Sequence, residues 1–562
     1  MEHRPLRVGL IVDSLSVPVY IADLVAGAAV DPLISICCLI VQDTARPPAP
    51  RSIRLWRFFR RSGPGKFLGV VIFTLVTRLE QVLLRSDEVV RRHSEMVSLE
   101  GEIAQTITVR PDVSSSRFVY RYSPEDLELI REAGLDVLVR CGSGILRGGI
   151  LTVAPLGIVS FHHGDNRLHR GGPSGFWETL RREPSTGFII QRLTEELDGG
   201  RVLNRGNFMT QKFYVRNQSH LFAKSNPFML RTLDLLAVQR ESLPEEPPYP
   251  FDAQLDLTPS PIVTLHYWLV SLGWLAMAAL RRSNILNIRE EFHVAIARGN
   301  WQTTVLHRSK TLTNPAGRFL ADPFVTSVDG RTCLFVEDCD FKTNKGYISV
   351  YELLEDGPVL LGRALEEPFH LSFPYIFNFD GRLFMCPETI DADSVRVYEC
   401  VSFPLVWEYR ETIIEGLRAA DPMIFQEAKK WWMLVTLDLG NNGDFDSCLA
   451  LFSAEHPLST NWVAHESTPL VVDSQGGRNG GLLTDGSNWF RVAQRQGFAS
   501  YGEAVSLRRI ESITSNEYSE REVLRVLPRF APRVVGLHHI HSNGEWTVFD
   551  FKTKSLKWFG RM

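Results

Sequence analysis

The sequence has little cysteine, little excess of either charge and no long hydrophobic run at its start. Its 562 residues include eight cysteines and no Cys-x-x-Cys pair, which excludes a disulfide-built scaffold and disfavours a structural zinc site. Sixty-one Lys and Arg against 65 Asp and Glu give a formal net charge of −4, so we expect no nucleic-acid partner. The first apolar run meets Asp13 at once, which predicts a buried strand and not a signal peptide. These features together indicate a cytoplasmic protein.

The first half has the pattern of an α/β domain. With 44% hydrophobic and 22% charged residues, the chain has the composition of a folded protein. Continuous apolar runs at residues 7–12 and 33–41 alternate with helical segments, and Ser123 followed by Pro124 marks a helix start. This alternation predicts a doubly wound domain with a parallel sheet over residues 1–240.

The second half has a different pattern. Residues 241–290 contain a Pro- and Glu-rich stretch and then an apolar one, which we interpret as a linker and an apolar helix. Over residues 291–562, short β-rich runs are separated by turns such as Asp329-Gly330. An all-β domain of this size is more typical of a propeller than of a sandwich.

Two stretches raise the question of membrane contact. Residues 46–66 carry seven basic side chains and no acidic one, with aromatic residues between them, and residues 67–76 are apolar. Residues 262–280 are also largely apolar and precede two arginines. Three interpretations stay open: helices packed on the domains, peripheral contact with an anionic membrane at its inner face, and a membrane span.

The densest group of polar residues lies between residues 157 and 206. It reads GIVSFHHGDNRLHRGGPSGFWETLRREPSTGFIIQRLTEELDGGRVLNRG. His162 follows a buried strand, which is where α/β sheets gather their sites, and Asp198 lies in a glycine-rich turn. The pattern resembles the folate-dependent formyltransferase family, in which a strand ending in Gly-x-x-Asn-x-His precedes Arg-Gly, Thr-Gly and Leu-Asp-x-Gly.

That resemblance implies an enzyme in which an amine attacks the formyl carbon of 10-formyltetrahydrofolate, with an oxyanion stabilised by hydrogen-bond donors. The implied catalytic residues are His162, Asp198 and Ser160, the last standing where the family has asparagine. The implied supporting residues are His163, Asp165 and Asn166. The folate would contact the strand-end loop Val139, Arg140, Cys141 and Gly142.

The second half carries recurring acidic turns. The segments ADPF, FVEDCD, EEPFHLSFPYIF and LFMCPET and the later RNGG, RVAQ and YGEAV resemble the five-bladed propellers of family 43-type glycoside hydrolases. They resemble more closely the N-terminal propeller of plant glucosamine inositolphosphorylceramide transferases. The resemblance implies a central channel lined by Asp322, Glu337, His370, Glu388 and Asp421.

These two resemblances together predict a function. We expect formyl transfer to the amine of a sugar or glycolipid, with the propeller binding the glycan. One alternative is a glycoside hydrolase-type propeller enzyme, since a pair of carboxylates can hydrolyse a glycosidic bond. The other is a non-catalytic glycan-binding protein with a degenerate formyltransferase domain. The expected partner is an amino-sugar or glycolipid acceptor, and no metal is predicted.

Overall fold

A computed structural model describes residues 4–44, 51–115, 117–168, 170–196, 200–247, 255–283 and 287–557. The chain forms two compact units, residues 1–273 and 274–562. The division falls inside the segment predicted to connect two domains. The finer boundaries at 240 and 291 stay predictions.

The first unit contains a large sheet with helices around it. Its strands are β1 (Leu6–Val12), β2 (Ser16–Pro18), β3 (Ile34–Gln42), β4 (Met96–Ser98), β5 (Gln105–Val109), β6 (Asp112–Val113), β7 (Val119–Arg121), β8 (Val137–Arg140), β9 (Ile145–Arg147), β10 (Ile158–His162), β11 (Arg170–Gly171), β12 (Ser185–Arg192), β13 (Arg201–Met209) and β14 (Leu255–Asp256). Its helices are α1 (Val19–Ala29), α2 (Arg51–Leu83), α3 (Glu88–His93), α4 (Pro124–Glu132), α5 (Phe176–Arg181), α6 (Tyr214–Gln239) and α7 (Pro261–Arg282), the last continuing into the second unit, with a short 3-10 helix at Gly149–Thr152.

The main sheet of this unit has seven strands in the order β13-β12-β10-β8-β1-β3-β5. The five strands from β10 to β5 pair in parallel, as the continuous apolar runs predict. The remaining two depart from the predicted all-parallel sheet, because β12 pairs antiparallel with both β10 and β13. Only eight residues separate β12 from β13, which is too short a connection for a parallel pair.

The predicted helix start at Ser123 is confirmed. The Ser123 hydroxyl accepts a hydrogen bond from the backbone N–H of Asp126 (3.1 Å), and Pro124 occupies the first turn of α4. The Asp126 carboxylate accepts the backbone N–H of Arg110 (3.2 Å).

Helices α2 and α7 pack against the body of the first unit through a buried carboxyl group. Glu80 on α2 accepts hydrogen bonds from the Tyr267 hydroxyl on α7 (2.5 Å) and the Val215 backbone N–H on α6 (3.0 Å). Val76 and Phe176 lie in the surrounding apolar cluster. Burial raises the pKa of Glu80 to about 7, although both hydrogen bonds oppose the shift.

This raised pKa predicts a pH-dependent stability. In the unfolded chain Glu80 ionises near pH 4.3, while in the folded chain it stays protonated to about pH 7. The folded state therefore holds more protons between these values, and its free energy of unfolding falls with rising pH, by roughly 3 kcal/mol from this group. We expect the stability difference between the native chain and Glu80→Gln to change by that amount between pH 4.5 and 8, measured by urea unfolding. If the free energies of unfolding of the two proteins ran parallel from pH 4.5 to 8, this assignment would be contradicted. The control is Glu88→Gln, because Glu88 is exposed.

The second unit is built from strands. They are β15 (Asn287–Arg298), β16 (Lys310–Thr311), β17 (Arg318–Val328), β18 (Arg331–Asp340), β19 (Lys345–Leu354), β20 (Gly357–Leu365), β21 (Ser372–Phe379), β22 (Arg382–Glu388), β23 (Ser394–Ser402), β24 (Val406–Glu415), β25 (Ala419–Glu427), β26 (Lys430–Leu437), β27 (Cys448–Ala454), β28 (Val463–Ala464), β29 (Val471–Val472), β30 (Asn479–Thr484), β31 (Trp489–Gly497), β32 (Ser500–Ile513), β33 (Tyr518–Val526), β34 (Val534–Gly536), β35 (Ile540–Ser542) and β36 (Trp546–Lys557). Short 3-10 helices lie at Leu306–Arg308 and Ile390–Ala392.

These strands form antiparallel sheets that follow one another along the chain. Three of the sheets have the order β17-β18-β19-β20, β21-β22-β23-β24 and β30-β31-β32-β33, and a fourth contains β25 to β29. A fifth sheet joins the beginning of the unit to its end, because β15 pairs with β36 along its whole length. The strands β17, β21, β25, β30 and β35 contact one another in succession, and β35 contacts β17. Mixed α/β architecture with many sheets is therefore the observed fold class.

The first strands of four sheets share a bulge. Register shifts follow Ala321 in β17, Ser372 in β21, Ala420 in β25 and Asn479 in β30. At these bulges the backbone adopts positive φ angles, 46° at Asp322, 47° at Phe373, 50° at Asp421 and 124° at Gly481. In the first three sheets a proline follows that residue, and a bulge is where a strand tolerates proline. The recurring Asp-Pro pairs of the sequence are thus bulges that turn side chains out of the strand pattern.

Candidate functional site

The strand ends of the first unit line a small cavity of about 160 Å³. Arg140 from β8 and His162 from β10 contribute to its wall. Ser160 is buried; its hydroxyl accepts a hydrogen bond from Arg140 (3.4 Å) and donates one to the Phe161 carbonyl oxygen (3.0 Å). The Ser160 hydroxyl, which stands where the formyltransferase family has asparagine, is thus hydrogen-bonded to two neighbours within the protein. Asp198 lies outside the described residues, so its convergence with His162 stays a prediction.

The residues expected to support His162 have other partners. The imidazole of His163 stacks between Phe161 and Phe222, with centroids 5.2 and 3.6 Å away, and burial lowers its pKa to about 3. Asp165 forms an ion pair with Arg205. The guanidinium of the same arginine also donates to the amide oxygen of Asn166 (3.0 Å). This placement makes His163 a packing residue and ties Asp165 and Asn166 to Arg205.

The loop predicted to contact folate is closely packed. Val139 is buried within β8, and burial raises the pKa of the Cys141 thiol to about 12. Arg140 donates to the Gly144 carbonyl oxygen (2.6 Å), and burial lowers the pKa of its guanidinium. A side chain at Gly142 would collide with Gln42, 2.6 Å from an ideal Cβ. Folate binding at this loop stays a prediction.

In the second unit, one arginine gathers the carboxylates of different sheets. The guanidinium of Arg478 donates to Asp421 (2.8 Å) and Glu388 (3.4 Å) and lies 3.8 Å from Asp446. The backbone N–H of Asp421 also donates to Glu388 (3.3 Å). Burial and Glu388 raise the pKa of Asp421, while Arg478 opposes the shift. The arginine thus offsets the repulsion between these largely buried carboxylates.

A second group surrounds the bulge of β17. The ring nitrogen Nδ1 of His538 lies 2.6 Å from Asp550, and its Nε2 lies 3.7 Å from Asp322. Burial raises the pKa of Asp322 well above its usual range, aided by Glu337, Asp550 and Asp421 and opposed by His538. Burial alone would lower the pKa of His538, but Asp550 and Asp322 outweigh it and raise that pKa. The carboxyl groups of Asp550 and Asp322 thus favour the protonated form of His538.

The third group is the pair of His370 and Glu337. His370 Nε2 is 3.4 Å from Glu337, and the His370 side chain is 29% exposed. Burial opposes its protonation, but the hydrogen bond to Glu337 raises the pKa of His370 to about 9. Electrostatic interaction with Glu388 adds to this shift. We refer below to the three groups as the acidic cluster: Asp322, Glu337, His370, Glu388, Asp421, Asp446, Arg478, His538 and Asp550.

Two sets of side chains in the described part of the chain are close enough to share a metal ion, Asp322 with His538 and Asp550, and Glu337 with Cys339 and His370. In the first set the Asp550 carboxylate already accepts the backbone N–H groups of Asp322, His538 and His539 at 3.0–3.1 Å. In the second, burial raises the pKa of the Cys339 thiol to about 12, whereas metal binding requires the thiolate. The prediction that the chain holds no metal therefore stays a prediction.

The structure brings all five predicted channel residues into the acidic cluster. Sequence reasoning missed Asp446, Arg478 and Asp550 as members. Arg478 is the first residue of the segment RNGG, which the sequence analysis had already noted. No local pattern showed that this arginine contacts carboxylates 57 and 90 residues away. A separate cavity of about 490 Å³ in the second unit, whose wall includes Arg298, Lys310 and Trp546, contains no member of the cluster.

Comparisons with known proteins concern mainly the second unit. A family model described as the N-terminal region of glucosamine inositolphosphorylceramide transferase 1 matches residues 286–531. The Arabidopsis thaliana protein named glucosamine inositolphosphorylceramide transferase 1 is 32% identical over 234 residues, which are 40% of this chain and 30% of that protein. The chain thus spans about a third of the length of the curated relative.

Solved structures match both halves weakly. A family 117 glycoside hydrolase from Zobellia galactanivorans covers 47% of this chain and 90% of its own, at 14% identity and a TM-score of 0.32. A glycinamide ribonucleotide transformylase from Symbiobacterium toebii covers 43% of this chain and 91% of its own, at 14% identity and a TM-score of 0.28. Scores this low establish neither fold nor function.

These comparisons correct the predicted function. Formyl transfer from 10-formyltetrahydrofolate was expected, but the family model and the curated relatives carry the name of a glucosamine inositolphosphorylceramide transferase. The expectation of formyl transfer is therefore wrong. The formyltransferase-like sequence pattern of the first unit has only weak structural support. The chain is similar, over the matched residues of its second unit, to the N-terminal region of a transferase family named for a glycolipid.

Proposed function

We propose that this chain acts in glycosyl transfer to a glycolipid, and that the acidic cluster of the second unit binds the polar head group of that acceptor. The observation that carries the proposal is that the residues matched by the family model contain most of the acidic cluster. The matched residues 286–531 include Asp322, Glu388, Asp421 and Arg478. The relatives' name supplies the acceptor class, an inositolphosphorylceramide.

The chemistry of the cluster suits such a head group. Carboxylates accept hydrogen bonds from the hydroxyl groups of an inositol or sugar ring, and arginine offers a fork of donors to phosphate. The Arg478 guanidinium lies over the ring of Tyr501, with its carbon 5.1 Å from the ring centroid, which fixes the orientation of the fork. His370 and Arg478 are more accessible to solvent than Asp421, so we place the entrance of the site beside them.

We further propose that the five sheets of the second unit are the blades of a propeller. The succession of contacts from β17 through β21, β25 and β30 to β35 and back to β17 supports a closed ring. The pairing of β15 with β36 supports closure by strands from both ends of the unit. In this arrangement the bulges at Asp322 and Asp421 direct their carboxyl groups to the central channel.

A lipid-binding experiment tests this function. The full chain is incubated with detergent micelles that contain inositolphosphorylceramide, and the retained lipid is measured after gel filtration. Ceramide is the matched control, because it lacks only the inositol phosphate. We expect retention of inositolphosphorylceramide at a stoichiometry near one and none of ceramide. Equal retention of the two lipids, or of neither, would overturn the proposal.

A further inference from the structure

Helices α2 and α7 carry their polar and apolar residues in an unusual arrangement. On α7 the buried positions include Thr264, Tyr267 and Ser271, and Tyr267 makes the hydrogen bond to Glu80 described above. The exposed positions are apolar: Ile262, Leu265, Leu269 and Leu272 are 40–80% exposed. Their spacing of three, four and three residues places them on one side of the helix. The helix thus presents leucines outward and hydroxyl groups inward, the reverse of a helix on a soluble domain.

Helix α2 repeats this arrangement beside it. Leu68, Leu75, Leu79 and Val82 are all at least half exposed, whereas Glu80 is buried. The two helices meet at Gly69, where an ideal Cβ would lie 3.5 Å from the side chain of Pro261, the first residue of α7, and again at the Glu80 hydrogen bond. We call their exposed apolar residues the outer face: Leu68, Leu75, Leu79, Val82, Ile262, Leu265, Leu269 and Leu272.

Apart from the buried Glu80, the charges in this part of the sequence have one sign. Residues 44–79 contain eight Lys and Arg and no Asp or Glu, and residues 261–282 contain two Arg and no acidic residue. On α2, Lys66 and Arg78 are exposed and lie two residues before Leu68 and one residue before Leu79. Two copies of the outer face brought together would bring these two basic side chains together as well, and their repulsion opposes a dimer. An anionic surface attracts them instead, and lipid tails accept the leucines.

We propose that the outer face docks the first unit on an anionic lipid bilayer, with α2 and α7 lying in the interface between head groups and acyl chains. Helix α7 is also long and apolar enough to cross a membrane by length and composition, with 17% of its apolar window buried. Its inward hydroxyl groups are packed on the protein, which favours an interfacial position over a span. The proposal does not rest on the glycolipid function, because it requires only bulk anionic lipid.

Vesicle flotation with the full chain tests this docking. The vesicles contain phosphatidylcholine alone or with 30 mol% phosphatidylserine, and neither contains an inositol lipid. We expect binding to the anionic vesicles that is at least ~10-fold tighter than to the neutral ones and that weakens in 0.5 M salt. The variant Leu265→Gln/Leu269→Gln is expected to lose at least ~10-fold in binding to anionic vesicles. The control Leu354→Gln/Val401→Gln changes exposed apolar residues of the second unit and is expected to bind as the native chain does.

Three outcomes would overturn the proposal. One is an absence of binding to anionic vesicles, and another is equal binding by the native chain and the Leu265→Gln/Leu269→Gln variant. The third is a native dimer, seen by light scattering, that the same variant dissociates while vesicle binding is unchanged. That result would assign the outer face to a second copy of the chain. Because these vesicles lack inositolphosphorylceramide, failure here leaves the head-group experiment unaffected.

Discussion

Replacement of Arg491 by methionine is expected to lower the free energy of unfolding of the second unit by about 3–5 kcal/mol. The Arg491 side chain is fully buried in β31 and donates to Glu520 at 2.6 and 2.8 Å and to the Gly476 carbonyl oxygen at 2.7 Å. Methionine fills similar space but leaves the Glu520 carboxylate buried beside fewer donors. Burial would raise the pKa of Glu520, but Arg491 outweighs it and lowers that pKa, so this contribution is present at neutral pH and lost as the pH falls.

Urea unfolding of the full chain measures this loss. The control is Arg331→Met, which breaks the exposed pair with Glu352 (2.8 Å) and is expected to cost less than about 1 kcal/mol. The double variant Arg491→Met/Glu520→Leu removes both charges and is expected to recover at least half of the loss. Similar losses for the buried and exposed pairs would contradict the role assigned to Arg491.

Replacement of Arg478 by methionine is expected to weaken binding of inositol phosphate by about 10–100-fold, the range of a hydrogen-bonded charge. Arg478 supplies the accessible fork of the acidic cluster, and without it the carboxylates of Asp421 and Glu388 would repel a phosphate group. Arg478→Lys keeps the charge without the fork, so we expect an intermediate affinity.

Isothermal titration calorimetry measures these affinities. Arg418→Met is the control, because Arg418 lies just before β25 and makes an exposed ion pair with Asp393 (3.3 Å). Thermal unfolding of each variant separates lost binding from lost folding. Unchanged affinity in folded Arg478→Met would contradict a head-group role for this arginine.

Local patterns predicted local structure well. The apolar runs at residues 7–12 and 33–41 became β1 and β3, and Ser123 caps α4, because burial and capping depend on near neighbours along the chain. The antiparallel β12 was not predicted, since a fully buried strand has the same apolar pattern in either direction. Strand direction depends on the partner that the fold supplies.

The sequence predicted that five members of the acidic cluster share one channel, and their function stays a proposal. The Asp-Pro pairs at Asp322 and Asp421 marked bulges, and a repeated local feature is visible in sequence. Arg478 and Asp550 were missed because their roles depend on contacts over long chain separations, such as the 228 residues between Asp322 and Asp550. The formyltransferase pattern around His162 led to the wrong function, since a motif matched in order does not fix the chemistry of its side chains.

In the proposed function, the carboxyl groups at the bulges of β17 and β25 bind the glycolipid head group. The most direct test compares two double variants by calorimetric titration with inositol phosphate. Asp322→Asn/Asp421→Asn removes both bulge carboxyl groups while asparagine tolerates the same positive φ. Asp329→Asn/Asp380→Asn is the matched control, because these exposed turn aspartates follow β17 and β21 and have positive φ angles of 49° and 53°. We expect an affinity reduced at least ~10-fold in the first variant and unchanged in the second. Equal affinities in both variants, with both folded, would contradict it.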